Sequence, residues 1–428
     1  MLESSESLLP KPQADAHGNI DPNRKLRVIA VGSEDDSLDE LERLLNTLGA
    51  TPVGRAHITQ RKINPATYIG EGKIEEIKLK MIDTEAEALM LDIELSPNQL
   101  RNLEKAVGKP VLDRPGIIIE IFSRHARTKE SKTQVELARL QYLLPRLAHF
   151  WTHFERQRGG SPGSRGMGEK QIEVDRRLVK NRMSHLRSRL EAIERERKVQ
   201  RAGRKDVLKV ALVGYTNAGK STLLNALTHS DVRAEDKLFA TLDASVRSLD
   251  PNCHPPVVAI DTVGFISRLP PSLVASFRST LEELEEADLL VHVVDASAAL
   301  AREQLEVTEK VLEELGVGSK PKMVVLNKCD QLQGAEKLRA KLIAPGSISI
   351  SAFNKEEVKA LRDQILRHFT QKLELYEILL PYDQSKLESQ LYAHGSVEIN
   401  RHMEKGTFFR LRMEEGRAKK LGLEKFKI

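Results

Sequence analysis

Residues 214–221 read Gly214-Tyr215-Thr216-Asn217-Ala218-Gly219-Lys220-Ser221, with the apolar run Val207 to Val213 before them and Thr222 and a helical pattern after. A strand, a glycine-rich loop and a helix in that order are the context that a phosphate-binding loop requires. Glycines at both ends let the backbone turn tightly and aim its N–H groups at a β-phosphate, assisted by the helix N-terminus. Lys220 adds a mobile positive charge toward the β- and γ-phosphates, and the Ser221 hydroxyl can ligate magnesium. Average composition alone yields such a string in roughly one or two per cent of chains this long, so its company decides.

That company stands in order along the chain. Asp261-Thr262-Val263-Gly264 closes an apolar strand, which puts Asp261 where a carboxylate can hold magnesium through water and Gly264 where a backbone N–H can meet the γ-phosphate. Between the two motifs lies Phe239-Ala240-Thr241-Leu242-Asp243, where Thr241 would bring its hydroxyl and carbonyl to magnesium and the γ-phosphate. The expected metal ligands are Ser221 and Thr241, and the expected catalytic groups are Lys220, Thr241 and Gly264. Asn327-Lys328-Cys329-Asp330 ends the apolar strand from Met323, and Asp330 can accept from both N1–H and N2–H₂ of guanine, a donor pair that adenine lacks. A buried carboxylate in that place would discriminate strongly, because the wrong base leaves it unpaired. Ser351-Ala352-Phe353, after the next strand, would offer a backbone N–H to guanine O6. Each short string is commonplace alone, but five in order at strand ends are not. GTP or GDP with Mg²⁺ is the expected ligand set. Position 265, where many small GTPases carry a water-orienting glutamine, is Phe265, which implies slow intrinsic hydrolysis.

Working outward, residues 205–370 alternate buried-type strands, at Val257 to Ile260, Leu289 to Val294, Met323 to Leu326 and Ser347 to Ile350, with helical stretches, so a parallel sheet is expected. Residues 27–119 repeat a βαβα rhythm on a smaller scale, but Gly32 and Gly70 form no GxGxxG turn. Residues 120–204 change period: Leu137, Leu140, Leu144, Leu147, Trp151 and Phe154 make one helical stripe, and Ile172, Val179, Met183, Leu186, Leu190 and Ile193 a second. Two such helices predict an antiparallel hairpin with arms on the order of 45 Å, the first bent at Pro145. Its tip, Arg158 to Gly168, holds five glycines, two arginines and no acid. That is more than a turn between helices needs, and with Arg156, Lys170, Arg176, Arg177, Lys180 and Arg182 behind it the tip suits a nucleic-acid backbone. Residues 1–26 read as a disordered tail, and 371–428 as a small α/β unit with strands at Gly395 to Ile399 and Thr407 to Met413. The fold class is therefore α/β: a P-loop GTPase domain preceded by a small parallel α/β domain and a helical hairpin, with a small C-terminal domain.

Length and composition agree with this plan. The 428 residues are 40% apolar and 30% charged, a composition typical of globular chains of several domains. Cys253 and Cys329 lack the spacing of a zinc site or a disulfide scaffold, no stretch is apolar enough to span a bilayer, and a net charge of +5 says little about partners.

The chain resembles the HflX-type GTPases over about residues 27 to 415. The resemblance rests on Tyr68-Ile69-Gly70-Glu71-Gly72-Lys73, on Leu95-Ser96-Pro97-Asn98-Gln99-Leu100-Arg101-Asn102-Leu103-Glu104, and on Thr133-Gln134-Val135-Glu136-Leu137-Ala138. It extends through Leu143-Leu144-Pro145-Arg146-Leu147, Arg156-Gln157-Arg158-Gly159-Gly160 and the GTP-site strings above. It implies a cytoplasmic GTPase of monomeric chains that binds the large (50S) ribosomal subunit and its rRNA, splits stalled ribosomes under stress, and points its hairpin toward the peptidyl-transferase centre; DNA is not an expected partner, and peripheral attachment to a membrane stays open. After the tip this chain has Met167-Gly168-Glu169-Lys170-Gln171-Ile172-Glu173-Val174-Asp175, where the family usually shows Pro-Gly-Glu-Thr-Gln-Leu-Glu-Thr-Asp. Two alternatives remain at this point: a nucleotide-gated regulator of a membrane protease or other protein complex, and an ATP-using RNA remodeller, against which the lack of a second phosphate loop argues.

Overall fold

The computed structural model describes residues 8–9, 24–59, 63–147, 165–202, 207–228, 238–239, 245–250, 256–267, 283–371 and 373–428, with backbone alone at 165–172, 198–202, 385 and 393. It divides into two compact units, one running to Arg197 and one from Lys198 to Ile428, with Leu238 and Phe239 grouped in the first.

In the first unit, β1 (Leu26–Gly32), β2 (Ala50–His57), β3 (Ala88–Leu91) and β4 (Val111–Leu112) form a parallel sheet in the order β2-β1-β3-β4. The crossovers are α1 (Asp35–Thr47), α2 (Glu71–Asp83) and α3 (Pro97–Val107). Helix α1 turns Leu38, Leu41, Leu44 and Leu45 inward at spacings of three and four, so one apolar stripe covers the sheet. Helix α3 starts on a capping box between Ser96 and Gln99 with Pro97 in its first turn, and stops at Gly108 in the left-handed region. The βαβα rhythm is thus enforced by local end signals as well as by burial.

The run Ile117-Ile118-Ile119-Glu120-Ile121-Phe122 is β-branched, yet it lies in helix α4 (Arg114–His125) and is buried on every side. Asp113 caps that helix, its carboxylate accepting from Gly116 N at 3.1 Å. The same carboxylate accepts from Tyr142 Oη at 2.8 Å, from Arg146 Nη2 at 3.1 Å and from Leu95 N at 3.2 Å. One buried charge therefore fastens the end of β4 to the foot of the next helix, α5 (Lys129–Leu143).

Helix α5 gives way at Leu144–Arg146 to a 3₁₀ turn containing Pro145, where the sequence predicts a bend. The second arm, α6, is Arg165–Ala202. Leu137 and Leu147 meet Val179, Met183 and Leu186 along the seam, and Glu136–Arg182 and Glu130–Arg197, each 2.7 Å, link the arms antiparallel. At 1.5 Å per residue, the 38 residues of α6 span about 57 Å, longer than the arm of about 45 Å expected, while the described part of the first arm ends at Leu147. Trp151, Phe154 and residues 158–164 of the tip lie outside the described residues. A second correction concerns Arg165 to Gly168, which begin α6 instead of ending the loop. Two glycines in a first turn cost about 1 kcal/mol each, which the long helix behind them outweighs.

The second unit holds a six-stranded sheet in the order β10-β9-β8-β5-β7-β6. Its strands are β5 (Leu208–Val213), β6 (Ser245–Asp250), β7 (Val257–Asp261), β8 (Leu289–Asp295), β9 (Lys322–Asn327) and β10 (Ile348–Ser349), with β6 the antiparallel one. Helices α7 (Lys220–Thr228), α8 (Ala301–Glu314), α9 (Ala335–Ile343) and α10 (Lys355–Thr370) connect them. Leu223, Leu224 and Leu227 of α7 and Leu361, Ile365 and Phe369 of α10 pack on Val210, Leu212, Val291 and Val293. Beyond them β11 (Glu374–Leu380), α11 (Ser385–His394), β12 (Ser396–Met403), β13 (Gly406–Met413) and α12 (Glu415–Leu421) form an antiparallel sheet, order β11-β13-β12, over Ile378, Phe409 and Leu411. Among the described residues no helix is long and apolar enough to cross a membrane.

Candidate nucleotide-binding site

Parallel pairing sets the site. Leu212 of β5 is opposite Asp261 of β7, Val213 is opposite His292 of β8, and Asp295 of β8 is opposite Asn327 of β9, so the strand ends that carry the motifs share one edge of the sheet. At that edge the chain turns through Gly214 to Gly219 into α7. Asn217 takes the left-handed conformation, φ 62°, which asparagine tolerates better than most residues. At Gly219, φ is 89° and a Cβ would stand 2.3 Å from Asn327 Nδ2, so only glycine fits between loop and base turn.

Lys220 is 6% exposed, and its ammonium donates to Gly214 O at 3.1 Å and Tyr215 O at 2.8 Å. Two of its three donors are thereby fixed on the loop that they close. Burial lowers its pKa to about 8, against the pull of the Asp261 charge. Ser221 Oγ donates to Asp261 Oδ2 at 2.6 Å, and Asp261 is 2% exposed. A hydroxyl and a buried carboxylate together are oxygen donors of the kind magnesium takes. Among the described residues there is no group of three or more His, Cys, Asp or Glu that could hold a metal ion. Thr222 is half-buried in the first turn of α7 and Ala218 is buried.

The segment after Asp261 is tied to the phosphate loop. Thr216 N donates to Phe265 O at 2.7 Å, Phe265 N donates to Gly214 O at 3.1 Å, and Ser267 N donates to Tyr215 Oη at 2.8 Å. Gly264 is pressed so close that a Cβ would stand 2.8 Å from Thr216 Cα and 2.9 Å from Lys220 Nζ. Thr262 turns away from the loop: its hydroxyl donates to Leu212 O at 2.6 Å inside the sheet, and Val263 is likewise buried.

Asn327 joins three motifs at once, Nδ2 donating to Ala218 O and Oδ1 accepting from Ala352 N, each at 3.0 Å. Lys328 is left-handed, φ 62°, and pairs with Asp295 at 2.8 Å. Cys329 is half-buried with Sγ donating to Leu326 O at 3.3 Å, and burial raises its pKa. Asp330, expected as a buried carboxylate, is exposed on the 3₁₀ turn that follows, so any desolvation of its charge would come from the base that covers it. Ser351 and Ala352 are buried and Phe353 is 79% exposed. Their N–H groups already have partners: Glu357 Oε2 for Ser351 at 2.6 Å, Asn327 for Ala352, and Ser351 Oγ for Phe353 at 3.3 Å.

Ala240, Thr241, Leu242 and Asp243 lie outside the described residues. Phe239 is described in the first unit, with φ 57° and its ring edge-on to Phe122, centroids 4.7 Å apart. Three residues of the site carry no motif signal: Asp295 and Glu357, which hold Lys328 and Ser351, and His292. The last is 1% exposed with neither ring nitrogen hydrogen-bonded among the described residues, and burial, with the charges of Lys322 and Lys220, lowers its pKa to about 4. Only the side-chain class, not the spacing, could have pointed to them.

With a phosphate loop on β5, its Ser/Asp pair across to β7 and an Asn-Lys-Cys-Asp turn on β9, the second unit is a P-loop GTPase. Family profiles agree: "GTP-binding GTPase N-terminal" matches residues 35–123, "GTP-binding GTPase Middle Region" 125–204 and "50S ribosome-binding GTPase" 209–328. The chain is 41% identical to GTPase HflX of Gluconacetobacter diazotrophicus over 88% of its length and 90% of that protein's. It is 40% identical to GTPase HflX of Escherichia coli over 85% and 86%. The crystal structure of a GTP-binding protein from Sulfolobus solfataricus in complex with GDP is 28% identical, covers 81% of this chain and 99% of its own, and gives a TM-score of 0.43. The chain belongs to the HflX family of GTPases.

Proposed function

We propose that this GTPase binds the large (50S) ribosomal subunit in its GTP state and uses that binding to split stalled ribosomes under stress. The observation that carries the reading is the match of residues 209–328 to a family described as ribosome-binding. The run of basic residues at Arg176, Arg177, Lys180 and Arg182 on α6 supports it, as phosphate backbones attract such a stripe. A monomer in the cytoplasm, with domains 27–119, 120–204, 205–370 and 371–428 behind a tail at 1–26, belongs to the same reading.

In this account the backbone of Gly214 to Gly219 surrounds the β-phosphate, the third donor of Lys220 reaches between the β- and γ-phosphates, and Gly264 N–H meets the γ-phosphate. Ser221 and Thr241 directly, and Asp261 through water, would hold a magnesium ion, which neutralises charge on the β- and γ-oxygens. Asp330 accepts from guanine N1–H and N2–H₂, while Asn327 keeps the base turn and the phosphate loop in register. The ring of Phe265 is 3% exposed and cannot orient water, so hydrolysis is slow until the subunit orders the loops around Thr241 and Asp261.

Sedimentation with purified subunits separates this from a protein-regulating role. Comigration with the large subunit in a non-hydrolysable GTP analogue, lost in GDP, is the expected result; failure to comigrate in either nucleotide would refute it.

A further inference from the structure

The phosphate loop contains a polar group that none of these roles uses. Thr216 is 5% exposed, and its hydroxyl has no hydrogen-bond partner among the described residues. A buried hydroxyl without a partner destabilises the fold, and such costs persist where function needs the group. Its own N–H is committed to Phe265 O, so the side chain is the only donor that the residue has left. That side chain borders the γ-phosphate donor of the proposed site with its methyl: a Cβ on Gly264 would lie 2.9 Å from Thr216 Cγ2 and 2.9 Å from Lys220 Nζ, and a turn about Cα–Cβ would exchange methyl and hydroxyl there.

The neighbouring position cannot do the same work. Phe265 has no polar side-chain atom, its ring is buried, and its N–H and C=O are both bonded to residues 214 and 216. The Tyr215 hydroxyl, accepting from Ser267 N at 2.8 Å, ties the next turn down as well. Among the described residues around Phe265, the loop offers the Thr216 hydroxyl as a further side-chain donor for the γ-phosphoryl group.

We propose that Thr216 is a catalytic residue of this GTPase, its hydroxyl donating a hydrogen bond to a γ-phosphoryl oxygen as hydrolysis proceeds. Water oxygen bonds to the γ-phosphorus while the bond to the β-phosphate oxygen breaks. GDP leaves with that electron pair, and the proton of the water goes to the phosphate product. The threonine lends a hydrogen bond and is unchanged. Strengthened as charge moves onto the γ-oxygens, that bond lowers the barrier more than it tightens binding.

The inference rests on the GTPase site as read above, so one experiment examines both. Single-turnover GTP hydrolysis and GDP affinity are measured on the full chain, as parent, Thr216→Val and Thr216→Ser. Valine keeps the shape and removes the hydroxyl; serine keeps the hydroxyl. Thr216→Val is expected to hydrolyse about ten- to a hundredfold more slowly with GDP affinity within about twofold, while Thr216→Ser recovers most of the rate. A valine variant as fast as the parent would reduce Thr216 to packing. Loss of rate and GDP affinity together, without recovery by serine, would make it part of the loop scaffold. A parent that binds no guanine nucleotide would overturn the site reading itself, and the inference with it.

Discussion

Ser221 Oγ donates to Asp261 Oδ2 at 2.6 Å, although forty residues separate them. Strands β5 and β7 and helix α7 bring that pair together at one edge of the sheet, and the pair is the proposed magnesium anchor. Ser221→Ala should therefore bind GTP with little benefit from magnesium, while the protein's Tm without nucleotide stays near that of the parent. Titrations in magnesium and in chelator check it; an unchanged magnesium benefit would place the ion elsewhere.

The phosphate loop was legible because its chemistry needs fixed residue types at fixed spacing, and the parallel strands because their apolar runs are continuous. Strand β6 was not, since Ser245 to Asp250 buries only Leu249. Helix α4 was not, because full burial erases the period that tells helix from strand. The unpartnered hydroxyl of Thr216, a residue the loop motif does include, and the buried imidazole of His292 were not legible for another reason: a missing hydrogen bond is a property of surroundings, which a string of residues does not display.

Lys220 leads to a pH prediction. With its pKa held near 8 in the free protein and raised by bound phosphates, nucleotide binding should take up a proton above about pH 8, and affinity should fall by up to about tenfold per pH unit there. Stability of the free protein should run the other way. The unfolded chain keeps this lysine charged to about 10.5, so its burial costs most below pH 8 and the cost is relieved as pH rises from 8 to 10.5. Calorimetry in buffers of different protonation enthalpy reads the proton uptake.

His292 acts at the acid end. Its folded pKa near 4 lies below the ordinary 6.5, so the stability it allows at neutral pH is lost as pH falls from 6.5 toward 4. His292→Leu should flatten that acid limb and leave neutral stability equal or higher, because an unpaired buried imidazole is replaced by an apolar chain of similar size. Thermal melts from pH 7 to 4 decide; an identical acid limb in the variant would show that other groups set it.

Asp330→Asn should weaken GTP binding by roughly ten- to a hundredfold, about 1.5–3 kcal/mol, because a charge-assisted acceptor becomes an amide. Xanthosine nucleotides should gain. Competition binding with both nucleotides checks the pair of shifts, and parental GTP affinity would remove base recognition from this turn.

This GTPase has Phe265 where a water-orienting side chain would stand, and the proposed function has it wait for the large ribosomal subunit. The most direct measurement is the GTP turnover rate of the protein alone and with increasing purified large subunits. Slow turnover alone, rising steeply and saturably with subunit, is the predicted result; rapid turnover by the isolated protein, unchanged when subunits are added, would contradict it.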